Sequence, residues 1–251
     1  MIDEYQDISN QRFILINKYV KKEKASLMCV GDDWQTIFSF ASSDITKILN
    51  FKNAFYDTKV LKILMTYRNS QELVNVAGNF IMKNKYQIKK NLKSIKHLKD
   101  PIRFIYYKNN QDKIFQLKKI LDHLLIQNSD SKIAFLTRYK FDIKQIIDNN
   151  NFYLKDEQLY YKDKHILFYT IHTSKGLGFD YVFLLNNEKG YYGFPPCRKA
   201  KGIFIEESLN LEERRLFYVA LTRTKNIVYL VTPTKKASVF AKEIKKILKK
   251  K

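Results

Sequence analysis

Apolar residues recur along the chain with two alternating periods, one of about two residues and one of about 3.6. Short apolar runs at 26–30, 60–65, 102–106, 132–137, 166–171, 181–185 and 227–231 predict strands. Between them, 8–20, 43 or 44 to about 51, 69–83, 112–127, 139–149 and 210–225 predict helices, and a basic helix follows Ala237. In 8–20, for instance, Phe13, Ile16 and Val20 share one helical face. The lysine-rich segment up to Asp100-Pro101 reads as a linker or exposed helix. Strands alternating with helices of this length predict an α/β fold, a mainly parallel sheet covered on both faces. No fixed-period repeat is visible.

The stretch 210–225, NLEERRLFYVALTRTK, organises the rest. Asn210 with Glu213 three residues on has the spacing of a capping box, and Glu212 and Glu213 complement the helix dipole. Leu211, Leu216, Phe217, Val219, Ala220 and Leu221 make an apolar body suited to a buried helix. Arg214, Arg215 and Arg223 interrupt it, and a guanidinium in such a place needs a planar anion, carboxylate or phosphate. Two readings stand: structural salt bridges, or Arg223 as a finger reaching a nucleotide phosphate. The stretch alone does not choose.

Charge sharpens the picture. Lys and Arg total 46 against 25 Asp and Glu, a formal net charge of +21. That points to polyanions, nucleic acid ahead of anionic lipid. Lys83, Lys85, Lys89, Lys90, Lys93, Lys96 and Lys99 fall in one stretch, and 235–251 carries eight lysines against Glu243. Because Lys, Asn and Ile dominate throughout, these runs read first as solvated faces. Arginine is more selective: five of the eight (Arg68, Arg138, Arg214, Arg215, Arg223) sit beside other candidate residues.

Hydrophobic residues make up 45% of the chain and glycine and proline are few, which excludes a disordered segment. The 251 residues suit one large domain or two small ones. Cys29 and Cys197 show no spacing for a disulfide framework or a zinc site. With no signal peptide and no membrane-length apolar run, a cytoplasmic setting away from membranes is expected.

In parallel sheets ligands bind beyond the carboxyl ends of the strands. Polar clusters fall at those ends. Asp3-Glu4 fits a Mg²⁺-phosphate site, the aspartate holding the metal and the glutamate orienting water, though an acidic pair also reads as a helix cap. Gln35, after the Gly31 turn, suits an amide that senses water or a γ-phosphate, or plain turn chemistry. Tyr67-Arg68 offers an aromatic face for a purine and a cation for a phosphate. Phe38 and Phe40 point the same way in an extended segment, as bases would need, or as two core aromatics would. His172, Ser174, Lys175 and Gly176-Leu177-Gly178 form a polar loop able to meet backbone phosphate, but one glycine pair is a weak phosphate signature. No Ser/His/Asp or Cys/His nucleophile is visible.

Taken in order, these segments resemble the C-terminal part of a superfamily 1 helicase of the UvrD/Rep type. IDEYQD is similar to motif II, CVGDDWQTIFSF to motif III, LMTYRNSQELVNVAGNFI to motif IV, TIHTSKGLGFDYVFLL to motif V and EERRLFYVALTRTK to motif VI. GDDWQ and GYYGFP resemble the DNA helicase IV branch. The likeness spans residues 2 to about 232. It implies two RecA-like lobes with ATP between them and single-stranded DNA across their top. Asp3 would then hold Mg²⁺ and Glu4 activate water. Gln35 would couple the γ-phosphate to DNA, Tyr67 stack on adenine, and Arg68 and Arg223 grip the γ-phosphate. Phe38, Phe40, Arg138 and His172 would contact DNA. On this likeness Arg223 is functional, while Arg214 and Arg215 are structural.

The chain also departs from the pattern. Its seven glycines form no GxxxxGK[ST], so the Walker A loop is missing, and Met1 stands where the motif II strand is already under way. Residues 1–65 are therefore expected to be the C-terminal half of a first lobe, and 66–251 a complete second lobe. Gly178 stands where motif V normally has glutamate, and Ala41 where the UvrD group often has an arginine. The stretch 151–165 is too short for the large subdomain inserted in UvrD and Rep. The expected function is the C-terminal portion of an ATP-dependent 3′-to-5′ DNA helicase. It would act on single-stranded and duplex DNA with a partner half that carries Walker A, from the same gene or a split one. Alone it is expected to hydrolyse ATP scarcely at all. The competing expectation is a non-catalytic remnant that binds nucleic acid or a partner.

Overall fold

The computed structural model describes residues 1–55, 57–148, 150–197 and 203–250, with the backbone alone for 203–209. The chain opens with little regular structure. The strand expected at 26–30 shrinks to one parallel bridge between Cys29 and Ile2. Helix α1 (Asn10–Glu23) starts at Ser9, whose hydroxyl accepts from the Arg12 amide at 3.4 Å. Two short helices, α2 (Thr46–Leu49) and α3 (Phe51–Ala54), replace the single helix expected there. Asp44 holds the start of α2, its Oδ1 accepting from the Thr46 amide at 2.9 Å.

The strand expected at 60–65 is also mostly lost. Only β1 (Met65–Thr66) remains, and after α4 (Gln71–Ile81) it pairs in parallel with β2 (Lys93–Ser94). The lysine-rich segment is thus no plain linker. Gln71 ties it back, its Oε1 accepting from the Ser94 amide at 2.7 Å.

The main body follows as β3 (Ile102–Tyr107), α5 (Asn110–Gln127), β4 (Ile133–Thr137), β5 (Phe152–Lys155), β6 (Gln158–Tyr161), β7 (Lys164–Thr170), β8 (Phe179–Leu184), α6 (Ile203–Leu221), β9 (Thr224–Pro233) and α7 (Val239–Leu248). The sheet order is β3-β9-β8-β4-β7-β6-β5, parallel from β3 to β7 and antiparallel through β6 and β5. All five residues of β4 are buried, as a central parallel strand covered on both faces requires. On one face α4, α6 and α7 pack through Phe80, Phe217 and Phe240, whose rings lie 5.2–5.4 Å apart. On the other, Leu117, Leu121 and Leu124 of α5 share a core with Phe135, Phe183 and Tyr229.

Three expectations need correcting. Helix α6 begins at Ile203, not at Asn210, so Asn210 caps nothing. The preceding residues IFIEESL favour helix and carry it straight through. The helix expected at 139–149 is a 3-10 turn, Lys140–Gln145, closed at its start by buried Asp142, which accepts from the Tyr139 amide at 2.9 Å; Asn149 lies outside the described residues. The stretch 151–165, read only as too short for an inserted subdomain, forms the β5–β6 hairpin. Asp156 and Glu157 turn it with φ of 51° and 60°, the left-handed pair of a two-residue hairpin loop.

Candidate functional site

The turn 31–37 joins the first 64 residues to the sheet. At Gly31 a Cβ would stand 2.7 Å from Gln6 Oε1 and 3.2 Å from the Gln6 backbone nitrogen, so a larger residue would have to displace the Gln6 side chain. Asp33 is fully buried, and its Oδ2 accepts from the Ile88 amide at 2.8 Å and Gln87 Nε2 at 2.7 Å. Lys90 Nζ lies 2.5 Å from its other oxygen. The Trp34 indole donates to the Ile88 carbonyl at 2.9 Å and meets Tyr218 edge-on at 5.4 Å. Arg215 Nε donates to the Thr36 carbonyl at 2.6 Å. Trp34 and Ile37 therefore belong to the same core as Phe80 and Phe217.

Beside this joint a cleft of about 310 Å³ is lined by Asp32, Gln35, Tyr67, Arg68, Tyr218 and Arg223, among others. Arg223 follows α6 and is only 2% exposed. Its Nε donates to the Val219 carbonyl at 3.1 Å, Nη1 to the Leu177 carbonyl at 3.3 Å and Nη2 to Gln35 Oε1 at 3.3 Å. Gln35 in turn donates to Asp32 Oδ2 at 2.7 Å. Burial pushes the Arg223 guanidinium down to about 10, and the neighbouring Arg68 cation pushes the same way. Among the described residues neither arginine has a carboxylate at ion-pair distance. Tyr67 is 75% exposed at the cleft mouth. A Cβ at Gly178 would lie 3.4 Å from Arg68 Nε, so the glutamate of the usual motif would face that guanidinium directly.

The acidic pair is not among the residues that line the cleft. Asp3 is exposed, and its Oδ1 accepts from the Glu4 amide at 2.8 Å. Glu4 has φ 49°, a left-handed conformation that costs a non-glycine residue about 1–2 kcal/mol. Its carboxylate accepts from Gln6 Nε2 and lies 3.6 Å from Lys175 Nζ. Lys175, from the loop after β7, also donates to Asp7 Oδ2 at 2.5 Å and to the Gln35 carbonyl at 2.9 Å. Burial holds the Asp7 carboxyl above its ordinary range, and Lys175 offsets part of that. Glu4 is among the charges that favour the Arg223 cation. Gln35, Tyr67, Arg68 and Arg223 thus line one cleft with Asp32, while Asp3 and Glu4 stay outside its lining, joined to it through Lys175 and the Gln35 carbonyl.

A second group gathers Phe38, Phe40 and His172. The Phe38 and Phe40 centroids are 5.8 Å apart, and His172 lies 6.0 and 5.5 Å from them. Phe40 is 74% exposed. Burial pushes His172 down to about 4, helped by the Arg138 cation, so the ring is neutral near pH 7. Arg138 itself is directed at Glu213, with Nη2 2.6 Å and Nε 3.0 Å from the carboxylate, and its guanidinium lies 4.8 Å from the Tyr139 ring. Arg214 is taken up by Glu243 at 2.7 Å. The sequence offered Lys175 as a phosphate contact, but its amine turns inward to Asp7. Nothing local in the sequence singles out that pair.

Among the described residues no helix is long and apolar enough to cross a membrane. The UvrD/REP helicase N-terminal domain family matches residues 1–56, and the UvrD-like helicase C-terminal domain family matches residues 139–235. DNA helicase IV of Escherichia coli K12 is 30% identical over 98% of this chain and 35% of its own length. The ATP-dependent DNA helicases Rep of Buchnera aphidicola and PcrA of Staphylococcus epidermidis are each 28% identical, over 54% and 55% of this chain and 20% and 19% of theirs. The chain therefore spans about a third of the first relative and a fifth of the others. With the N-terminal and C-terminal domain families of the UvrD/REP helicases matched in order along it, the chain belongs to the UvrD/REP helicase family.

Proposed function

We propose that the chain is the C-terminal portion of an ATP-dependent 3′-to-5′ DNA helicase, working in the cytoplasm on single-stranded and duplex DNA. Residues 1–65 are the C-terminal half of its first RecA-like lobe and 66–251 its second. The observation that carries this reading is the pair Arg68 and Arg223, held side by side in the cleft with Gln35 between Arg223 and Asp32. Two neighbouring cations repel unless an anion of higher charge lies against both, and a triphosphate supplies that anion.

In this reading Tyr67 stacks on adenine, and Arg68 and Arg223 stabilise charge on the transferred phosphoryl group. Glu4 orients and activates the attacking water. Mg²⁺ is commonly held by one or two carboxylates together with phosphates and water, and exposed Asp3 fits that donor set. The metal would neutralise phosphate charge. Gln35 is the coupling residue. Its side chain meets Arg223 and Asp32, its carbonyl meets Lys175, and Phe38 and Phe40 follow three and five residues on. A shift at the phosphate end therefore moves the rings that grip DNA.

The test is an ATPase assay with single-stranded DNA after adding a helicase half that carries Walker A. Turnover is expected to appear, and Arg223→Ala is expected to lower it by roughly 10³ to 10⁵, the scale of an arginine finger. No turnover from the reconstituted protein, or turnover indifferent to Arg223→Ala, overturns the reading.

A further inference from the structure

We propose that Tyr139, Phe141, Tyr191 and Tyr192 form a stacking plate for unpaired DNA bases, extending the strand's path beyond Phe40. The inference rests on the DNA-binding reading of Phe38, Phe40 and His172 and adds residues to which that reading gives no part. Strands β7, β4 and β8 are consecutive neighbours in the sheet. The loops leaving their carboxyl ends carry, in that order, His172, then Arg138 to Phe141, then Tyr191 and Tyr192. Arg138 lies against the Tyr139 ring, on the loop next to the one that carries His172, so the two aromatic groups occupy neighbouring loops at one end of the sheet.

The four rings pack on one another while staying open to solvent. Tyr139 and Phe141 stack with centroids 5.2 Å apart and planes within 5°. Tyr192 meets both edge-on at 5.7 and 5.2 Å, and Tyr191 meets Tyr192 edge-on at 4.8 Å. Phe141, Tyr192 and Tyr191 are 46%, 53% and 59% exposed. A solvated aromatic cluster of this size is unusual on a surface that serves no partner.

The plate is also stiff. At Gly193 a Cβ would fall 2.2 Å from the Glu188 carbonyl, so the loop can close there only on glycine. Phe194 is fully buried between Phe217 and Phe240, and its amide donates to Glu188 at 3.1 Å. Rings held in advance lose little entropy on binding.

The chemistry selects nucleobases over an apolar protein partner. Every contact surface here is a ring, with no aliphatic side chain among the four, and two exposed lysines flank them, Lys189 and Lys140, the latter 3.1 Å from Glu157. Rings bordered by cations are the makings of a single-strand platform, where bases stack and lysines track phosphates.

The test uses this chain and a labelled oligothymidylate, followed by fluorescence anisotropy. The double variant Tyr191→Ala/Tyr192→Ala is expected to bind about tenfold more weakly, the scale of one or two lost stacks. Its salt slope should stay that of the parent, because no cation is removed. Tyr192→Phe should bind like the parent. If the double variant binds within about twofold of the parent while Phe40→Ala is weakened, the plate is rejected and the DNA reading stands. If neither substitution weakens binding, both fall. A check that depends on no variant is photocrosslinking with 5-iodouracil in the oligonucleotide. Adducts at Tyr191 or Tyr192 support the plate, and adducts confined to other residues overturn it.

Discussion

The parts of the molecule on either side of Met65 are held in different ways. After it, a seven-stranded sheet buries both faces, and Phe80, Phe135, Phe183 and Phe217 are wholly inaccessible. Before it, α1 buries no residue completely, and Leu15 and Tyr19 are 69% and 62% exposed. Strand-like pairing of 2–5 with 28–30 rests on three backbone bonds of 2.8 Å, two at Ile2 and one at Tyr5. Yet Trp34 and Ile37, from the first part, are buried in the core of the second. The candidate chemistry divides accordingly. Gln35 and Arg223 are fixed by a stiff frame, whereas Asp3 and Glu4 are exposed at the start of the chain, outside the sheet's core and just ahead of the buried Tyr5 and Gln6.

The largest expected contrast comes from removing one apolar side chain on each side. Phe217→Ala, in the middle of the three-ring cluster with Phe80 and Phe240, is expected to lose about 3–5 kcal/mol. Leu15→Ala, on α1, is expected to lose less than about 0.5 kcal/mol. Urea denaturation of the two variants measures the difference. Equal losses would mean that the two parts share one cooperative core after all.

A smaller effect is expected where the parts are pinned together. Lys175→Met keeps the buried stem of a side chain only 8% exposed but strips the charge from Asp7, leaving an already strained carboxylate without its cation. The expected loss is about 1–3 kcal/mol, the usual cost of orphaning such a group. It should appear as faster hydrogen exchange in residues 2–8 with 102–107 unchanged. Adding Asp7→Asn should recover much of it, since the amide no longer needs a counter-charge. Because burial raises the Asp7 pKa, its charged form is the costly one, so the loss should shrink as pH falls through the carboxylate range. A loss spread evenly over the whole chain would show that Lys175 supports the frame rather than the pin.

The same division explains what was legible beforehand. Strands such as 132–137 could be read because a central parallel strand must be apolar throughout, and β4 is buried at every position. Gln35, Tyr67, Arg68 and Arg223, singled out by their motifs, all line the one cleft, while their roles there are those the resemblance implies. The failures have physical causes too. A cap signal at Asn210 is overridden when the residues before it also favour helix. The β5–β6 hairpin turns on Asp156-Glu157, without the glycine or asparagine that usually marks left-handed backbone. At 60–64 four of the five residues are apolar, but Leu61 and Ile63 are 78% and 81% exposed, so composition alone promised a strand. Ion pairs between distant residues leave no local trace at all: Lys175 meets Asp7 across 168 positions, and Arg138 meets Glu213 across 75.

The smallest effect belongs to His172, whose ring lies against both Phe38 and Phe40. Its folded-state pKa is pushed to about 4 from an ordinary 6.5, chiefly by burial and then by Arg138, against weaker opposing contributions from Glu212 and the Ile37 backbone. The unfolded chain therefore takes up a proton below 6.5 that the folded chain refuses until about 4. The stabilisation is complete above the upper value and drains away as pH falls between the two. His172→Phe removes the titration but keeps a ring. Its stability curve should run parallel to the parent's above neutrality and lie progressively higher, relative to it, as acid is added; subtracting the curves cancels the carboxylates common to both. DNA affinity gives the functional side of the same argument. A neutral imidazole stacks but adds no cation, so lowering the pH from about 7.5 to 6 should strengthen DNA binding no more in the parent than in His172→Phe. If the parent alone gains affinity over that range, His172 meets the strand as a charge. Phe38 and Phe40 would then be grouped around a phosphate contact rather than a stack of rings.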